Sequence, residues 1–123
     1  MLIIRDFVTE HEGRRLLELT KDNLKRSTDQ GGFDESGVQE QVVSMGRTSS
    51  NAWCVGPCET DPTVRNLLNR IANLTLSSPL NFESFQVLRY QLGQKYDTHH
   101  DGSNDNHMRW FFYFLCLPCC NTF

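Results

Sequence analysis

Apolar residues recur along this chain at helical spacing in two stretches and at strand spacing in a third. Thr9-Glu10-His11-Glu12 is a capping-box pattern, with Thr9 at the start and Glu12 able to reach back from the third position. It predicts a helix running to about Arg26, with Leu16, Leu17 and Leu24 as apolar contacts and His11 solvated. Residues 27–40 read as a loop, because Gly31, Gly32 and Gly37 lie among Asp and Ser without periodicity. Gln41 to Met45 reads as a short strand, followed by the polar run Arg47 to Asn51. Asp61-Pro62 opens the clearer helix: Asp61 caps it, and Pro62 takes the first position, where a missing N–H costs nothing. Val64, Leu67, Leu68, Ile71 and Leu74 then fall on one face, which is predicted to pack on the back of a sheet.

From Phe82 to Tyr90 the period changes to two. Phe85 and Val87 face one way, and Gln86, Leu88 and Tyr90 the other. Leu92-Gly93-Gln94 is a turn, Tyr96 to Asp101 a second strand, and Gly102 to Asn106 a loop. Met108 to Leu117 is a last, very apolar strand. Helices followed by strands predict an α+β fold, with N-terminal helices packed on an antiparallel sheet.

Composition narrows this picture. The chain has 123 residues, enough for one domain, with 38% hydrophobic and 22% charged residues, a globular balance. Twelve Lys and Arg against fifteen Asp and Glu give a net charge of −3, no electrostatic footprint for nucleic acid. Trp110 to Leu117 falls short of the roughly 20 residues that a membrane helix needs, and Met1 to Asp6 has no signal-peptide pattern. Five cysteines, an odd number, are not read as a disulfide framework. Cys116-x-x-Cys119 is half of a zinc or redox site with no second pair at a fitting distance. Asn73-Leu74-Thr75 is a glycosylation sequon. It lies on the second helix with no secretion signal before it, so its use is not expected.

His99-His100-Asp101 is the tripeptide with candidate chemistry. In a strand, residues i and i+2 share a face, so His99 and Asp101 can grip one ion while His100 points away. An imidazole plus a carboxylate is two thirds of the facial triad of non-haem Fe(II) oxygenases. Alone, such a tripeptide is common, and a hydrogen-bonded surface histidine is its ordinary reading.

Its surroundings add more. Residues 85–101 run through Arg89-Tyr90, Gly93-Gln94-Lys95-Tyr96 and His99-His100-Asp101. This order resembles the catalytic entry of prolyl 4-hydroxylases, which are 2-oxoglutarate- and Fe(II)-dependent dioxygenases. Arg47-Thr48-Ser49-Ser50 resembles the family's Arg-Thr-Ser segment. The helix carrying Arg70, Leu74 and Thr75 resembles the family helix before the core sheet, and Arg109 with the strand after it resembles the next core strand. Thr98 stands where the family often has proline.

The resemblance implies a double-stranded β-helix, or jelly roll, with His99 and Asp101 as iron ligands. Tyr90 would reach 2-oxoglutarate, and Tyr96 and Arg47 would be catalytic residues on the substrate side. Tyr90 lies nine residues before His99 across one turn, so their strands are predicted to be neighbours. The resemblance also implies Fe(II), 2-oxoglutarate as co-substrate, L-ascorbate, a proline-containing peptide substrate, and the endoplasmic reticulum as compartment.

The family completes its site with a downstream histidine and then a lysine or arginine that pairs with 2-oxoglutarate. Here the last histidine is His107, the last lysine Lys95, and only Arg109 remains as a later cation. Residues 1–117 are therefore read as a partial catalytic domain and residues 118–123 as a divergent tail. The jelly roll would be incomplete, its open sheet left for a partner chain to cover, and the chain inactive. Two alternatives stay open. One is a non-catalytic fragment with a weak metal site or a subunit-interaction role; the other is a small module binding Zn(II) through Cys116 and Cys119.

Overall fold

The structure, a computed structural model, describes residues 4–99. Helix α1 spans Glu10–Thr20 and opens with the expected capping box. The Thr9 hydroxyl accepts the Glu12 N–H at 3.3 Å, and Glu12 Oε2 accepts the Thr9 N–H at 2.9 Å. The helix ends six residues before Arg26. Thr20 turns its hydroxyl onto the Leu16 carbonyl at 2.7 Å, and Lys21–Asn23 tighten into a 3₁₀ turn. Local hydrogen bonding by Thr, Asp and Asn competes with helix propagation here. Leu24 is thus not a helix contact, and strand β1 (Lys25–Arg26) follows at once.

The stretch read as a loop is largely a β-hairpin. Strand β2 (Asp29–Phe33) pairs antiparallel with β3 (Gln39–Val42) around a turn at Asp34–Val38. Asp34 Oδ1 accepts the N–H groups of Ser36 and Val38, and Gly37 takes φ 77°, a left-handed value that glycine adopts without strain. Both strands are exposed for most of their length, so no alternation of burial marked them. The strand expected at Gln41 to Met45 ends at Val42. Beyond it, the Ser44 hydroxyl accepts the N–H groups of Gly46 and Arg47 and bends the chain.

Strand β4 (Ser50–Trp53) lies between β1 and β5 (Gln86–Arg89), both antiparallel to it. The described residues are thus α+β, with helices beside antiparallel sheets, as expected. Between β4 and β5 the chain forms a short helix α2 (Pro57–Thr60) and then α3 (Pro62–Thr75). Asp61 caps α3 as predicted, accepting the Thr63 N–H at 2.9 Å and that of Val64 at 3.4 Å. It also accepts from Arg15 Nε at 2.9 Å, which ties α3 to α1. Burial raises the Asp61 pKa, but Arg15 and the two N–H groups outweigh it and hold the carboxyl below its usual range.

The core gathers Leu16, Cys54, Cys58, Val64, Leu67 and Ile71, with Phe7, Val8, Leu19, Phe82 and Phe85 packed around them. Helix α3 packs mainly on α1 and α2 rather than spreading over the sheet. Two expected members of its stripe differ. Leu68 is half-buried, and Leu74, at the edge of the buried arc in the last turn, is 51% exposed. The cysteine reading also needs correction: Cys54 and Cys58 form a disulfide. Gly56, at φ 61°, reverses the chain between them and brings their Cα atoms to 5.1 Å.

A second clamp joins the helices. Arg70 on α3 donates from Nη1 and Nη2 to the two oxygens of Glu12, each at 2.8 Å, and from Nη2 to the Phe7 carbonyl at 2.6 Å. The Arg70 hydrogen bonds hold Glu12 well below the usual carboxylate range, at about 2, against the opposing effect of burial.

Candidate active site

Residues 44–49 form the scaffold on which the candidate residues sit. On one side, the Ser27 N–H donates to the Ser49 carbonyl at 2.9 Å, and the two buried serine hydroxyls meet at 3.0 Å. On the other side, the Thr48 N–H donates to the Lys95 carbonyl at 2.8 Å and the Asp97 N–H to the Gly46 carbonyl at 2.8 Å. Between these bonds, Arg47 pairs antiparallel with Tyr96 in an isolated bridge.

The register of that bridge changes the expected topology. Ser50 pairs with Arg89, so an unbroken ladder would set Arg47 opposite Leu92. It stands opposite Tyr96 instead, four residues further along. The turn at Gln91–Gln94 accounts for the difference. Its N–H of Gln94 donates to the Gln91 carbonyl at 2.9 Å, and Gly93 takes φ 82°. β5 and the Tyr96 segment are therefore not neighbouring strands. Both follow the same edge of the segment that leads into β4, with the turn looped out between them. Tyr90 lies just past the end of β5 and is 47% exposed. The second strand expected from Tyr96 onward reduces, within the described residues, to the single bridge at Tyr96 and a bend at Thr98.

Three of the candidate residues come together. The Arg47 guanidinium lies over the Tyr96 ring, 4.5 Å from its centroid. The His99 ring stacks on Tyr96 with centroids 3.7 Å apart and planes 20° from parallel. Arg47 Nη1 donates to the Thr28 carbonyl at 3.0 Å, while its Nε is buried with no hydrogen-bond partner among the described residues. Nearby, the Ser44 hydroxyl donates to Asp29 Oδ2, and Asp29 Oδ1 is likewise buried without a partner there. Residues 28, 29 and 44 were not singled out in the sequence.

His99 carries a second informative contact. Its Nδ1 lies 2.8 Å from the Asp97 carbonyl oxygen. A carbonyl can only accept, so Nδ1 is the protonated nitrogen and the lone pair of the neutral ring sits on Nε2. A backbone carbonyl on one imidazole nitrogen is the arrangement that orients metal-bound histidines through the other. Asp101, His107, Arg109, Cys116 and Cys119 lie outside the described residues. Among the described residues, no cluster of three His, Cys, Asp or Glu side chains could hold a metal. His99 thus suits a metal as a single donor, and completing a site requires other residues. A cleft of about 250 Å³ near Val64, Leu68, Phe82 and Phe85 includes none of the candidate residues.

Comparison with known proteins decides the family. The chain is 36% identical to prolyl 4-hydroxylase 2 of Arabidopsis thaliana over 103 residues, which is 84% of this chain and 32% of that protein. It is 37% identical to probable prolyl 4-hydroxylase 4 of the same plant over 103 residues, covering 84% of this chain and 33% of the relative. The chain belongs, as a partial region, to the prolyl 4-hydroxylase family. It spans about one third of the length of these relatives. No protein-family model matches it. Among the described residues, no helix of this prolyl 4-hydroxylase segment is long and apolar enough to cross a membrane.

Proposed function

We propose that this chain is the part of a 2-oxoglutarate- and Fe(II)-dependent peptidyl-proline 4-hydroxylase that carries the first two iron ligands and the substrate-side residues. The observation that carries the reading is the gathering of Arg47, Tyr96 and His99 around one aromatic ring. In this reading His99 Nε2 and Asp101 hold Fe(II), and Tyr90 reaches 2-oxoglutarate. Residues 1–117 are a partial jelly-roll catalytic domain, residues 118–123 are a divergent tail, and the open sheet is left for a partner chain to cover. Iron and 2-oxoglutarate, when bound, supply the oxidising chemistry, and L-ascorbate keeps the iron reduced.

The chain's own residues bind and orient the substrate. The Tyr96 ring packs against both the Arg47 guanidinium and the His99 imidazole and so fixes these two side chains relative to each other. The half-buried Arg47 side chain, its guanidinium over the Tyr96 ring, suits a carbonyl of the peptide substrate. The Thr28 carbonyl and the Tyr96 ring hold the guanidinium in place, so little side-chain freedom is lost on binding. The Asp97 carbonyl holds His99 in the tautomer that would turn Nε2 toward a metal.

The test is anaerobic Fe(II) titration of the 123-residue polypeptide, followed by measurement of succinate released from 2-oxoglutarate in air. Binding should weaken at least about tenfold in His99→Ala, since even supporting residues around a metal are worth about 10–100-fold. Equal binding by the variant would refute the assignment of His99. The polypeptide alone should release no succinate above the His99→Ala control. After Asp101 it offers only His107 as a third histidine and Arg109 as a cation for the co-substrate. Succinate above the control would overturn that count of ligands.

A further inference from the structure

We infer that Asn73 is an acceptor for an N-linked glycan. Asn73-Leu74-Thr75 has the required pattern, and its position on a helix weighed against its use. The structure alters that judgement through two independent observations. The first is the surface. Asn73 is exposed in the last turn of α3, and its side chain hydrogen-bonds no other described residue. Leu74 beside it is 51% exposed, and Leu76, which ends the helix in a left-handed conformation, is 95% exposed. A glycan leaving Asn73 would enter solvent without displacing any packed group.

The second observation is the disulfide. Cys54 and Cys58 are both buried in the core and joined to each other. Disulfides persist in oxidising compartments and are rare where cellular thiols are kept reduced. A chain that matures with a core disulfide passes through the environment in which sequons are modified.

The folded helix also indicates when transfer occurs. The Thr75 hydroxyl donates back to the Ile71 and Ala72 carbonyls at 3.0 and 3.2 Å. In that state it is not available to a transferase that must read the threonine, so transfer precedes closure of the last turn of α3. The co-reactant is a lipid diphosphate-linked oligosaccharide. The amide Nδ2 of Asn73 attacks the anomeric carbon, whose bond to the diphosphate oxygen breaks. An N-glycosidic bond forms, Nδ2 gives up one proton, and the lipid diphosphate departs with the bonding electron pair. No oxidant or reductant takes part.

The experiment is translation of the full 123-residue chain behind a cleavable signal sequence in the presence of microsomes. Only the protease-protected, translocated fraction is scored. A single shift to higher mass is expected, removed by peptide N-glycosidase F, which leaves aspartate at position 73 in peptide mass spectrometry. Asn73→Gln and Thr75→Ala should abolish the shift, and Thr75→Ser should keep it. Because the glycan is added before folding, a variant that folds poorly still reports on the sequon. Translocated chain with an oxidised Cys54–Cys58 bond and unmodified Asn73 would overturn the inference. So would a shift that survives Asn73→Gln.

Discussion

Replacing Glu12 with Gln removes one charge from the clamp between α1 and α3 while leaving the cap nearly intact. Gln at this position still accepts the Thr9 N–H, so the loss reports chiefly on the Arg70 pairing. Arg70 hydrogen bonds lower the Glu12 pKa from 4.5 to about 2. A carboxyl whose folded pKa is depressed adds stability above its unfolded pKa, and that stability disappears as pH falls through the folded value. Each pKa unit corresponds to about 1.4 kcal/mol. The Glu12 side chain is only 10% exposed, but Arg70 is 39% exposed and solvent screens its half of the pair, which brings the expected contribution to about 2 kcal/mol. The assay is urea unfolding of wild type and Glu12→Gln at several pH values between 7 and 2, compared at equal m-value. The gap should be about 2 kcal/mol at and above pH 5 and close steadily from pH 4.5 toward 2. A gap independent of pH would refute the electrostatic account and show that Glu12 acts through packing alone.

Other substitutions probe separate parts of the fold. Leu67→Ala, at a fully buried position, should cost about 2–5 kcal/mol in urea unfolding. Leu74→Ala should stay within about 0.5 kcal/mol, and a larger loss would mean that Leu74 is covered. Cys54→Ser should lower stability by about 2 kcal/mol, the loop-closure value for so short a ring, and reduction of the wild type should reproduce it. In Gly46→Ala the new Cβ would stand 3.2 Å from Asp97 Oδ2, so amide exchange at Asp97 should quicken. Unchanged exchange would show that the contact relaxes at no cost to the bridge between Arg47 and Tyr96.

The parts of the fold that were legible beforehand are those whose cause is local. Thr9 with Glu12, and Asp61 with Pro62, carry their hydrogen-bonding logic within four residues, and both helix starts follow from it. The burial of Val64, Leu67 and Ile71 was equally readable, because a helical period leaves its mark on composition. The hairpin of β2 and β3 was not, since strands exposed on both faces leave no alternation to read. At the site, Arg47, Tyr96 and His99 were nominated from motif order. What the sequence could not convey was the register that joins them, which depends on residues almost fifty positions apart.

The looped-out turn at Gln91–Gln94 gives this region slack. Arg89 is indexed to Ser50 and Lys95 to Thr48, and both partners stand on one continuous stretch of chain. Residues can be added to or removed from the turn without moving either anchor, and doubling a loop's length costs only about 0.6 kcal/mol. His99 therefore takes its position from Arg47 and not from Tyr90. Drift in the turn between Tyr90 and Tyr96 would move one tyrosine and leave the other in place, so the two are free to be tuned separately over evolutionary time.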